Sequence, residues 1–491
     1  MAEIRFCGFP DAVVLDAPGG KPVKHLLWGD WLELTGRTQD DWVSVHARGE
    51  SGWLRRTAIQ TERLLEVVFV DIGQGDGCLL STPTDRHLVI DAGEGDNMFR
   101  FLRWRFGQFH RRFEFDAFVI THPDADHYGG FAPLVDEKNV AVRTLYHGGL
   151  VERSSAVRGP LGSTAKAGNT PVYTEVMRNR TDLDQLLTPA ACKGRNYAQL
   201  LRRALDGGRV ADIRAIDATD GQLPGYEAGN ELSIRVLSPV PTEVSAGVRG
   251  LRSFGDTGKT KNGHSIVLRV QYRDVSLLLG GDLNVPAEEH LLRHYTKRTV
   301  PPKTAEDEEA VVRAARTVFE CDFAKACHHG SADFSEVFLK SVNARATVIS
   351  SGDDEPYSHP RAETLGAIGK HSRGRRPLIF STELARSARE TIKQPYVLRQ
   401  QFRDAVAALE AAIASGDAKR IDRARAAHDK LTDALDRSIA VYGAVNLRTD
   451  GHRVVIAQKI EAPTQRYEKG WDIATFVPDP TSGDLTFSSR Y

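Results

Sequence analysis

The sequence predicts an α/β protein with a small β-barrel at its amino end and a helical hairpin near its carboxyl end. Three observations predict this fold class. Short β-like runs alternate with turns up to residue 62, and apolar runs of strand length end in glycine and aspartate turns from residue 63 to about 383. From residue 384 to about 442, apolar residues recur every three or four positions, which is the helical period.

Length and charge limit the classes of protein to which this chain can belong. A chain of 491 residues exceeds the ~100–200 residues of one domain, and 41% apolar residues suffice for an ordinary core. Lysine plus arginine number 65, as do aspartate plus glutamate, so no overall field attracts the protein to nucleic acid or anionic lipid. Binding of a polyanion would therefore depend on a local patch.

The cysteines and the amino terminus predict a cytoplasmic location. The five cysteines are odd in number, scattered and without Cys-x-x-Cys spacing, so neither a disulfide framework nor a zinc knuckle is indicated. Residues 1–5 lack the basic-then-apolar pattern of a secretory signal, and no run reaches the ~18 apolar residues of a spanning helix. We expect no membrane partner.

The predicted barrel occupies residues 1–62. Turn signals separate strand-like runs at residues 12–15, 31–34, 42–45 and 52–54. An early strand, a Gly29-Asp30 turn, a tryptophan-containing strand and a terminal Gly-Trp-Leu resemble a bacterial Src-homology-type barrel. Such modules bind a protein partner or dock on their own chain, and both roles stay open.

A second domain, residues 63–383, opens with apolar runs at residues 64–70, 78–81 and 88–90. Glycine turns join these runs, and glycine allows a tight turn close to a site because it adopts positive φ without side-chain bulk. Three acidic residues stand in the turns, and we expect them to stabilise turns or support a site rather than bind metal; they are Asp71, Asp76 and Asp91.

The densest group of metal-capable side chains follows the apolar run at residues 115–120. His122, Asp124, Asp126 and His127 fall within six residues. Alternate residues of an extended turn can converge on one side while adjacent His127 serves a neighbouring position, so two metals are indicated. A loop of solvated acids with a helix-capping aspartate is the alternative, but it does not account for the density of the cluster.

Further candidates stand beside apolar runs in the second half of the domain. Strand ends can bring such side chains to the same sheet edge. The candidates are His264 in Asn262-Gly263-His264-Ser265, Asp282 after Gly280-Gly281, His328 and His329 in Cys327-His328-His329-Gly330-Ser331, and His359 in Tyr357-Ser358-His359-Pro360. Cys327 is expected to be a buried strand-end residue rather than a ligand.

Together these motifs resemble the metallo-β-lactamase superfamily and, within it, the hydrolase domain of ComEC competence proteins. The resemblance rests on the His-x-Asp-x-Asp-His pattern at residues 122–127, the Val-Asp-Ile-Gly-Gln-Gly-Asp opening at 70–76 and the His-His-Gly-Ser element at 328–331. It implies an αββα metallo-β-lactamase sandwich in residues 63–383, completed by residues 443–491. Hydrolases of this type commonly carry asparagine near the position of His264.

The resemblance also implies two divalent metal ions, Zn²⁺ or Mn²⁺, and the residues that hold them. The two sets of ligands are His122, Asp124 and His264 for one ion, and Asp126, His127 and His329 for the other, with Asp282 between them. Asp126 would also orient the nucleophile, and His359 would contact phosphate or donate a proton. His328 would support a ligand or face the substrate, and His328 and His329 could exchange these roles. Aspartate at position 124, where lactamases have histidine, favours harder ions such as manganese.

The predicted reaction is hydrolysis of a phosphodiester, as in a nuclease, by a hydroxide bridged between two metals. Nucleic acid, DNA or RNA, would then be the substrate. One alternative is a small-molecule metallohydrolase of the same fold, acting on a cyclic nucleotide, lactone or thioester. Another is a non-catalytic scaffold that recruits partners, and the complete ligand set argues against it.

Two segments have the composition or position expected for substrate binding. Residues 99–115 interleave aromatics with Arg100, Arg103, Arg105, Arg111 and Arg112, as nucleic-acid grooves do, although an amphipathic helix packed on a sheet has the same composition. The insertion at about residues 145–230 follows the first metal motif and is expected to overhang the site and influence specificity.

The carboxyl-terminal part is predicted to be an αα-hairpin at residues 384–442 followed by strands at 443–491. The hairpin would pack on the sandwich or form a homodimer. A β-hairpin around Thr449-Asp450-Gly451 is expected to close the second sheet of the sandwich.

Overall fold

The structure is a computed structural model, and it describes residues 3–155, 158–352, 358–374, 376–382, 395–440, 443–459 and 470–489. The strands are β1 (Glu3–Cys7), β2 (Asp11–Leu15), β3 (Pro22–Leu27), β4 (Trp31–Gln39), β5 (Trp42–Ala47), β6 (Glu50–Arg55), β7 (Ile59–Gln60), β8 (Leu65–Phe69), β9 (Gly77–Ser81), β10 (His87–Ala92), β11 (Phe113–Ile120), β12 (Val140–His147), β13 (Thr164–Ala167), β14 (Thr170–Tyr173), β15 (Val210–Ala215), β16 (Leu232–Ser238), β17 (Thr242–Ser245), β18 (Val248–Arg252), β19 (Val267–Tyr272), β20 (Val275–Leu279), β21 (Phe323–Lys325), β22 (Ala346–Ile349), β23 (Leu378–Ser381), β24 (Val445–Thr449), β25 (Val454–Lys459), β26 (Trp471–Pro478) and β27 (Leu485–Ser489). The helices are α1 (Asn97–Arg105), α2 (Ala125–Tyr128), α3 (Phe131–Asp136), α4 (Arg180–Leu186), α5 (Pro189–Cys192), α6 (Asn196–Asp206), α7 (Thr257–Gly263), α8 (Val285–Thr296), α9 (Ala305–Phe319), α10 (Glu336–Val342), α11 (Ala362–His371), α12 (Pro395–Ser415) and α13 (Ala418–Ala440).

The amino-terminal strands form an antiparallel sheet of their own in the order β3-β2-β6-β5-β4-β1-β7. Inward-facing residues of these strands, such as Val14, Leu26 and Val45, are fully buried in an apolar core of their own. Trp28 and Leu64 pack with Val455 and Ile473 from β25 and β26. The small β-domain therefore docks on the carboxyl-terminal strands of its own chain.

Two sheets packed face to face form the centre of the molecule. The first has ten strands in the order β15-β12-β11-β10-β9-β8-β24-β25-β26-β27, and the second has six in the order β16-β19-β20-β21-β22-β23. Side chains such as Val67 and Val119 from the first sheet share a core with Leu268 and Leu277 from the second. Every residue of strands such as β8 is buried because both faces of the sheet are covered.

Helices cover the outer faces of both sheets. α1, α3 and α6 supply Leu102, Leu134 and Leu201 to an apolar cluster outside the first sheet. α8, α9 and α10 cover the second sheet, where Leu291 and Phe319 are buried. The layers are therefore helix, sheet, sheet and helix, and the predicted αββα sandwich is confirmed.

The carboxyl-terminal strands lie in the first sheet, so the expectation that they close the second sheet is wrong. β24 pairs antiparallel with β8, with Val445 opposite Phe69. β8 has β9 on its other side, and the pairing with β24 satisfies backbone groups that would otherwise form an exposed sheet edge. Residues far apart in sequence thereby complete one sheet.

The stretch predicted as an insertion contains two kinds of structure. Its strand β15 pairs parallel with β12 and forms the edge of the ten-stranded sheet. β13 and β14 belong to a small separate sheet with β17 and β18, which come from beyond residue 230. The sandwich therefore resumes within residues 145–230.

The helical hairpin consists of α12 and α13. The Phe402 ring lies 5.2 Å from the His428 ring where the two helices meet. α13 also packs against α1 on the outside of the first sheet. The hairpin thus packs on the sandwich, one of the two predicted arrangements; residues 384–394 and 441–442 of the predicted hairpin lie outside the described residues.

Candidate metal centre

The motif at residues 122–127 follows β11 directly. Residues 115–120 of this strand are buried between β10 and β12, which fixes the start of the loop. Asp91, at the end of β10, accepts hydrogen bonds from the Thr121 backbone nitrogen at 2.8 Å and from Thr121 Oγ1 at 2.7 Å. These bonds tie the loop to the neighbouring strand.

Gly75 allows a second loop to approach the motif closely. Its φ is +100°, and a Cβ atom at this position would lie 1.7 Å from the Asp126 carbonyl oxygen. That same carbonyl accepts a hydrogen bond from the Asp76 backbone nitrogen at 3.2 Å. Only glycine fits here, and the loop at residues 71–77 thereby supports the backbone of the metal motif.

Two histidines are held through Nδ1 so that Nε2 faces inward. His127 Nδ1 lies 2.8 Å from Asp91 Oδ2. His329 Nδ1 lies 3.1 Å from the Ser350 carbonyl oxygen and 3.1 Å from Asp76 Oδ1. Acceptors at Nδ1 place the proton on that nitrogen, which orients the ring and leaves the Nε2 lone pair free to bind a cation.

The Nε2 atoms of three histidines converge on Asp282. Asp282 Oδ2 lies 3.1 Å from Nε2 of His127, 3.2 Å from that of His329 and 4.0 Å from that of His122. Within the described part of the chain, none of these nitrogens has a hydrogen-bond partner, and neither does Asp282 Oδ1, although all four atoms are buried. Buried polar atoms without partners are costly, so this point suits a cation.

Asp126 completes the tightest group. Its Oδ2 lies 3.5 Å from His329 Nε2 and 3.9 Å from His127 Nε2. One ligand atom each from Asp126, His127, Asp282 and His329 falls within 4.8 Å of the others. The structure therefore brings four of the seven predicted ligands to one point.

His122 and Asp124 lie beside this group. His122 Nε2 is 3.5 Å from Asp124 Oδ2. Asp124 is also bound by two side chains of α7, because Lys261 Nζ forms an ion pair with its Oδ1 and the Asn262 amide, in the orientation that satisfies both groups, donates to its Oδ2 at 2.7 Å.

His264 is not brought to the metal centre, which corrects its assignment as a ligand. Its Nε2 lies 2.7 Å from the Arg252 carbonyl oxygen, and its ring packs 4.8 Å from that of Phe254. Burial lowers the pKa of His264 to about 4, so the ring is neutral. It follows the end of α7, and Asn262 of the same helix faces Asp124 instead.

His328 and His359 lie at the mouth of the centre. His328 Nε2 is 4.0 Å from Asp282 Oδ2, and its side chain is 25% exposed. The His359 ring lies 5.7 Å from the ring of His328 and 6.2 Å from that of His329. Both His328 and His329 have left-handed backbone conformations, with φ of 49° and 53°. Such strain in non-glycine residues is typical of functional sites.

Lys325 is a buried residue that contacts the carboxylates of the centre. The sequence analysis did not predict this role. Its Nζ forms a buried ion pair with Asp76, donates to the Gly281 carbonyl oxygen at 3.1 Å and lies 3.8 Å from Asp282 Oδ1. A lysine inside the apolar run at residues 323–326 was the available signal, because lysine is rarely buried without a partner.

The acids and imidazoles hold one another in charged forms. Burial opposes protonation of His127 and His329, but Asp282 and the neighbouring carboxylates outweigh it and raise the pKa of each imidazole well above its usual range. Burial likewise opposes ionisation of Asp126 and Asp282, but these histidines lower the pKa of both carboxyls. A bound divalent ion would replace the imidazole protons, so acid should weaken metal binding.

The donor set therefore fits a divalent metal. Imidazole nitrogens and carboxylate oxygens suit zinc and manganese. Cys327 does not join them: burial raises the pKa of its thiol well above its usual range, and it packs against the apolar cluster outside the second sheet. Cys327 is therefore a partly buried packing residue, where a fully buried one was expected.

The aromatic and arginine segment adopts the packed arrangement rather than an open binding groove. Phe101 and Phe109 are buried in the core outside the first sheet. Arg105 forms an ion pair with Glu66, and Arg100 lies 2.9 Å from Asp96. Aromatic faces that are buried cannot stack on bases, so this segment loses the feature that suggested nucleic-acid binding.

Comparison with known proteins identifies a distant relative. No protein-family model matches the chain. ComE operon protein 3 of Bacillus subtilis (strain 168) is 21% identical over 324 residues, which cover 62% of this chain and 31% of that protein. The resemblance to ComEC-like hydrolases is confirmed at this level. The chain has the helix, sheet, sheet and helix layers that the resemblance to metallo-β-lactamases implies. Its match to the relative spans about a third of that protein's length.

Solved structures give weaker likenesses. Tm1679, a metal-dependent hydrolase of the beta-lactamase superfamily, is 12% identical, with 64% of this chain and 95% of that chain covered and a TM-score of 0.31. Zn²⁺-bound PqqB from Methylobacterium extorquens is 10% identical, with 64% and 97% covered and a TM-score of 0.32. At these scores neither structure informs the substrate or the metal count.

None of the helices in the described segments is both long and apolar enough to cross a bilayer.

Proposed function

We propose that this protein with a metallo-β-lactamase fold is a metal-dependent hydrolase of phosphodiesters. The observation that carries the proposal is the convergence of three histidine Nε2 atoms on Asp282, with Asp126 beside them, at one edge of the sandwich. Catalytic centres in proteins commonly concentrate such unpartnered polar groups and strained backbone. The cluster lies at the ends of strands, where the scaffold is rigid.

The chain would hold two divalent ions in two adjoining sets of ligands. Asp126, His127 and His329 form one set, His122 and Asp124 the other, and Asp282 lies between them. Ions bound here would supply Lewis acidity and a hydroxide nucleophile at neutral pH. The Asp126 side chain is 20% exposed, so it can accept a hydrogen bond from the attacking water and hold it in line.

Two histidines at the mouth suit an anionic substrate. Burial lowers the pKa of His328, so its ring is neutral at pH 7 and can donate an N–H hydrogen bond to a phosphoryl oxygen. His359, whose ring lies 5.7 Å from that of His328, would give a proton to the departing alkoxide. Together they would stabilise charge that develops on the phosphate during the reaction.

Nucleic acid is the expected polymeric substrate, by analogy with the motifs shared with ComEC-like hydrolases. A second candidate is a small phosphodiester such as a cyclic nucleotide. Two observations favour this small substrate: Arg100 and Arg105 pair with acidic residues, and the neighbouring aromatics are buried. Helix α1 then lacks the free cationic side chains that bind the phosphates of a long polyanion.

A substrate panel separates these candidates. Single-stranded DNA, duplex DNA, RNA, a cyclic nucleotide, bis(p-nitrophenyl) phosphate, a lactone and a thioester would be tested with metal-loaded protein, with Asp126→Asn as the blank. Salt-sensitive cleavage of a polymer would support a nuclease, and turnover of small phosphodiesters alone would support the second candidate. Hydrolysis of only the lactone or thioester would overturn phosphodiester chemistry.

A further inference from the structure

The two halves of the metal centre are not equivalent. Asp126, His127, His329 and Asp282 each offer a ligand atom within 4.8 Å of the others. His122 and Asp124 fall outside that group, and His122 Nε2 lies 4.0 Å from Asp282 Oδ2, against 3.1–3.2 Å for the other two histidines. The ligand atoms of Asp126, His127, His329 and Asp282 therefore already surround a space of about the size of a cation. The ligand atoms of His122 and Asp124 lie farther from that space.

Both oxygens of Asp124 are already engaged by α7. Lys261 forms an ion pair with Oδ1, and Asn262 donates to Oδ2. Lys261 Nζ is itself held by Glu152 Oε2 at 2.9 Å, and Glu152 Oε1 accepts from Arg195 at 2.6 Å. The Lys261 side chain is only 13% exposed, so this ion pair is shielded from solvent. The ammonium is a fixed part of the centre rather than a mobile surface group.

In the part of the chain that the structure describes, His264 does not add a second imidazole to the half that contains His122. His264 is turned to the Arg252 carbonyl, so the half containing His122 has one imidazole and one carboxylate already neutralised by a lysine. A divalent ion entering this half must displace the ammonium from Asp124 or tolerate its repulsion. Both cost free energy, because unit charges a few ångströms apart interact strongly in a shielded site.

We propose that Lys261 makes the His122–Asp124 position the weaker of two metal sites, an inference that rests on the proposed metal-dependent function. The chain holds one ion tightly between Asp126, His127, His329 and Asp282. The second ion binds only as Lys261 leaves Asp124, so the lysine sets the metal concentration at which the two-ion centre forms. Glu152, which already pairs with Lys261, binds the Lys261 ammonium after it has left Asp124.

The test is a titration of metal-free full-length protein with Mn²⁺, followed by calorimetry and by electron paramagnetic resonance, which distinguishes an isolated ion from a coupled pair. Lys261→Met and Lys261→Gln remove the charge in two different ways, so the test does not depend on one variant folding. Lys261→Arg keeps the charge. Lys259→Met removes an exposed lysine from the same helix and serves as the matched control.

Wild-type protein should bind one ion before the second, giving an isolated-ion spectrum at one equivalent. Lys261→Met and Lys261→Gln should tighten the second step by about tenfold or more, while Lys261→Arg and Lys259→Met leave it unchanged. Two equal steps in wild type, or an unchanged second step without the Lys261 charge, would overturn the inference and leave the proposed hydrolase intact. Protein that binds no ion at all would overturn both.

Discussion

His264 and His122 differ in what their imidazoles bind, and this difference can be tested. His122 Nε2 faces Asp282, whereas His264 Nε2 is satisfied by the Arg252 carbonyl oxygen. His264→Gln keeps a hydrogen-bond donor and should leave metal affinity within about twofold, as expected for a residue that is not a ligand. His122→Gln should weaken the second binding step, at the His122–Asp124 position, by at least about 10–100-fold, the loss that even outer partners of ligands cause.

Calorimetric metal titration of both variants decides the comparison. Thermal unfolding serves as the control, because both substitutions replace buried rings and their stabilities must be known before affinities are compared. A large loss of metal affinity in His264→Gln with normal stability would restore His264 as a ligand.

Some site residues could be predicted from sequence because the strand scaffold fixes them. His122, Asp282 and His329 follow the ends of the buried strands β11, β20 and β21 within four residues, and such ends meet at one edge of a sandwich. Asp126 and His127 lie in the short helix α2, which follows β11 after four residues. The orientation of His264 could not be predicted in this way. It follows a short helix, where a shift of two residues decides whether Asn262 or His264 faces Asp124.

At the scale of one helix, α8 contains a buried acid that gives stability an unusual pH dependence. Glu288 is 1% exposed; its Oε2 accepts from the Ser335 backbone nitrogen at 2.5 Å, while Oε1 has no partner among the described residues. Burial, opposed by that hydrogen bond, raises the pKa of Glu288 well above its usual range. The folded state therefore keeps this carboxyl protonated.

The sign of the effect follows from linkage. An unfolded glutamate loses its proton near pH ~4.3, whereas folded Glu288 keeps it, so stability falls as the pH rises above that value. Glu288→Gln should match wild type near pH 4.5 and exceed it at pH 8 by about 1–3 kcal/mol. Urea unfolding at several pH values measures this, with exposed Glu309→Gln as the control. Parallel curves for wild type and Glu288→Gln would show that Glu288 is ionised in the folded state.

Helix α1 shows why composition alone did not decide a role. Interleaved aromatics and arginines are common to a nucleic-acid groove and to an amphipathic helix on a sheet. The structure distinguishes them by burial of Phe101 and Phe109 and by the packing of α13 on the same helix. The second helix is distant in sequence, so no local pattern could have indicated this cover.

At the scale of the whole molecule, a buried ionic network joins the small β-domain to the sandwich. Arg448 on β24 donates to Asp30 Oδ1 and Glu66 Oε1, each at 2.8 Å. Arg48 reaches Asp30 at 2.6 Å, and Arg105 pairs with Glu66. Asp30 and Arg48 come from the small β-domain, and the others come from the sandwich. Arg448 is therefore the shared partner of both domains.

Removing Arg448 should loosen this joint. Arg448→Met leaves two buried carboxylates short of a partner and should lower the free energy of unfolding by about 3–5 kcal/mol. Arg203→Met is the control, since Arg203 is 46% exposed in its pair with the 52% exposed Asp136 and should matter by less than about 1 kcal/mol. Urea denaturation measures both variants. Equal, small losses would mean that apolar packing around Trp28 holds the domains together without the network.

The layered architecture could be predicted from the sequence. The sheet that the carboxyl-terminal strands join could not. Apolar runs with turn residues between them locate the strands, since strand length and burial are local properties. The pairing of β24 with β8 joins residues 445–449 to residues 65–69. Which sheet receives the last strands depends on edges formed by the whole fold, and residue patterns within the strands do not contain that information.

Metal-dependent hydrolysis is tested most directly by the turnover of bis(p-nitrophenyl) phosphate by metal-free protein as Mn²⁺ or Zn²⁺ is added back. Wild type and Asp126→Asn would be measured side by side. We predict no turnover without metal, a saturable gain on adding it, and a rate about 10²–10³-fold lower in Asp126→Asn. Turnover that survives full removal of metal, or Asp126→Asn as fast as wild type, would show that hydrolysis does not depend on this metal centre.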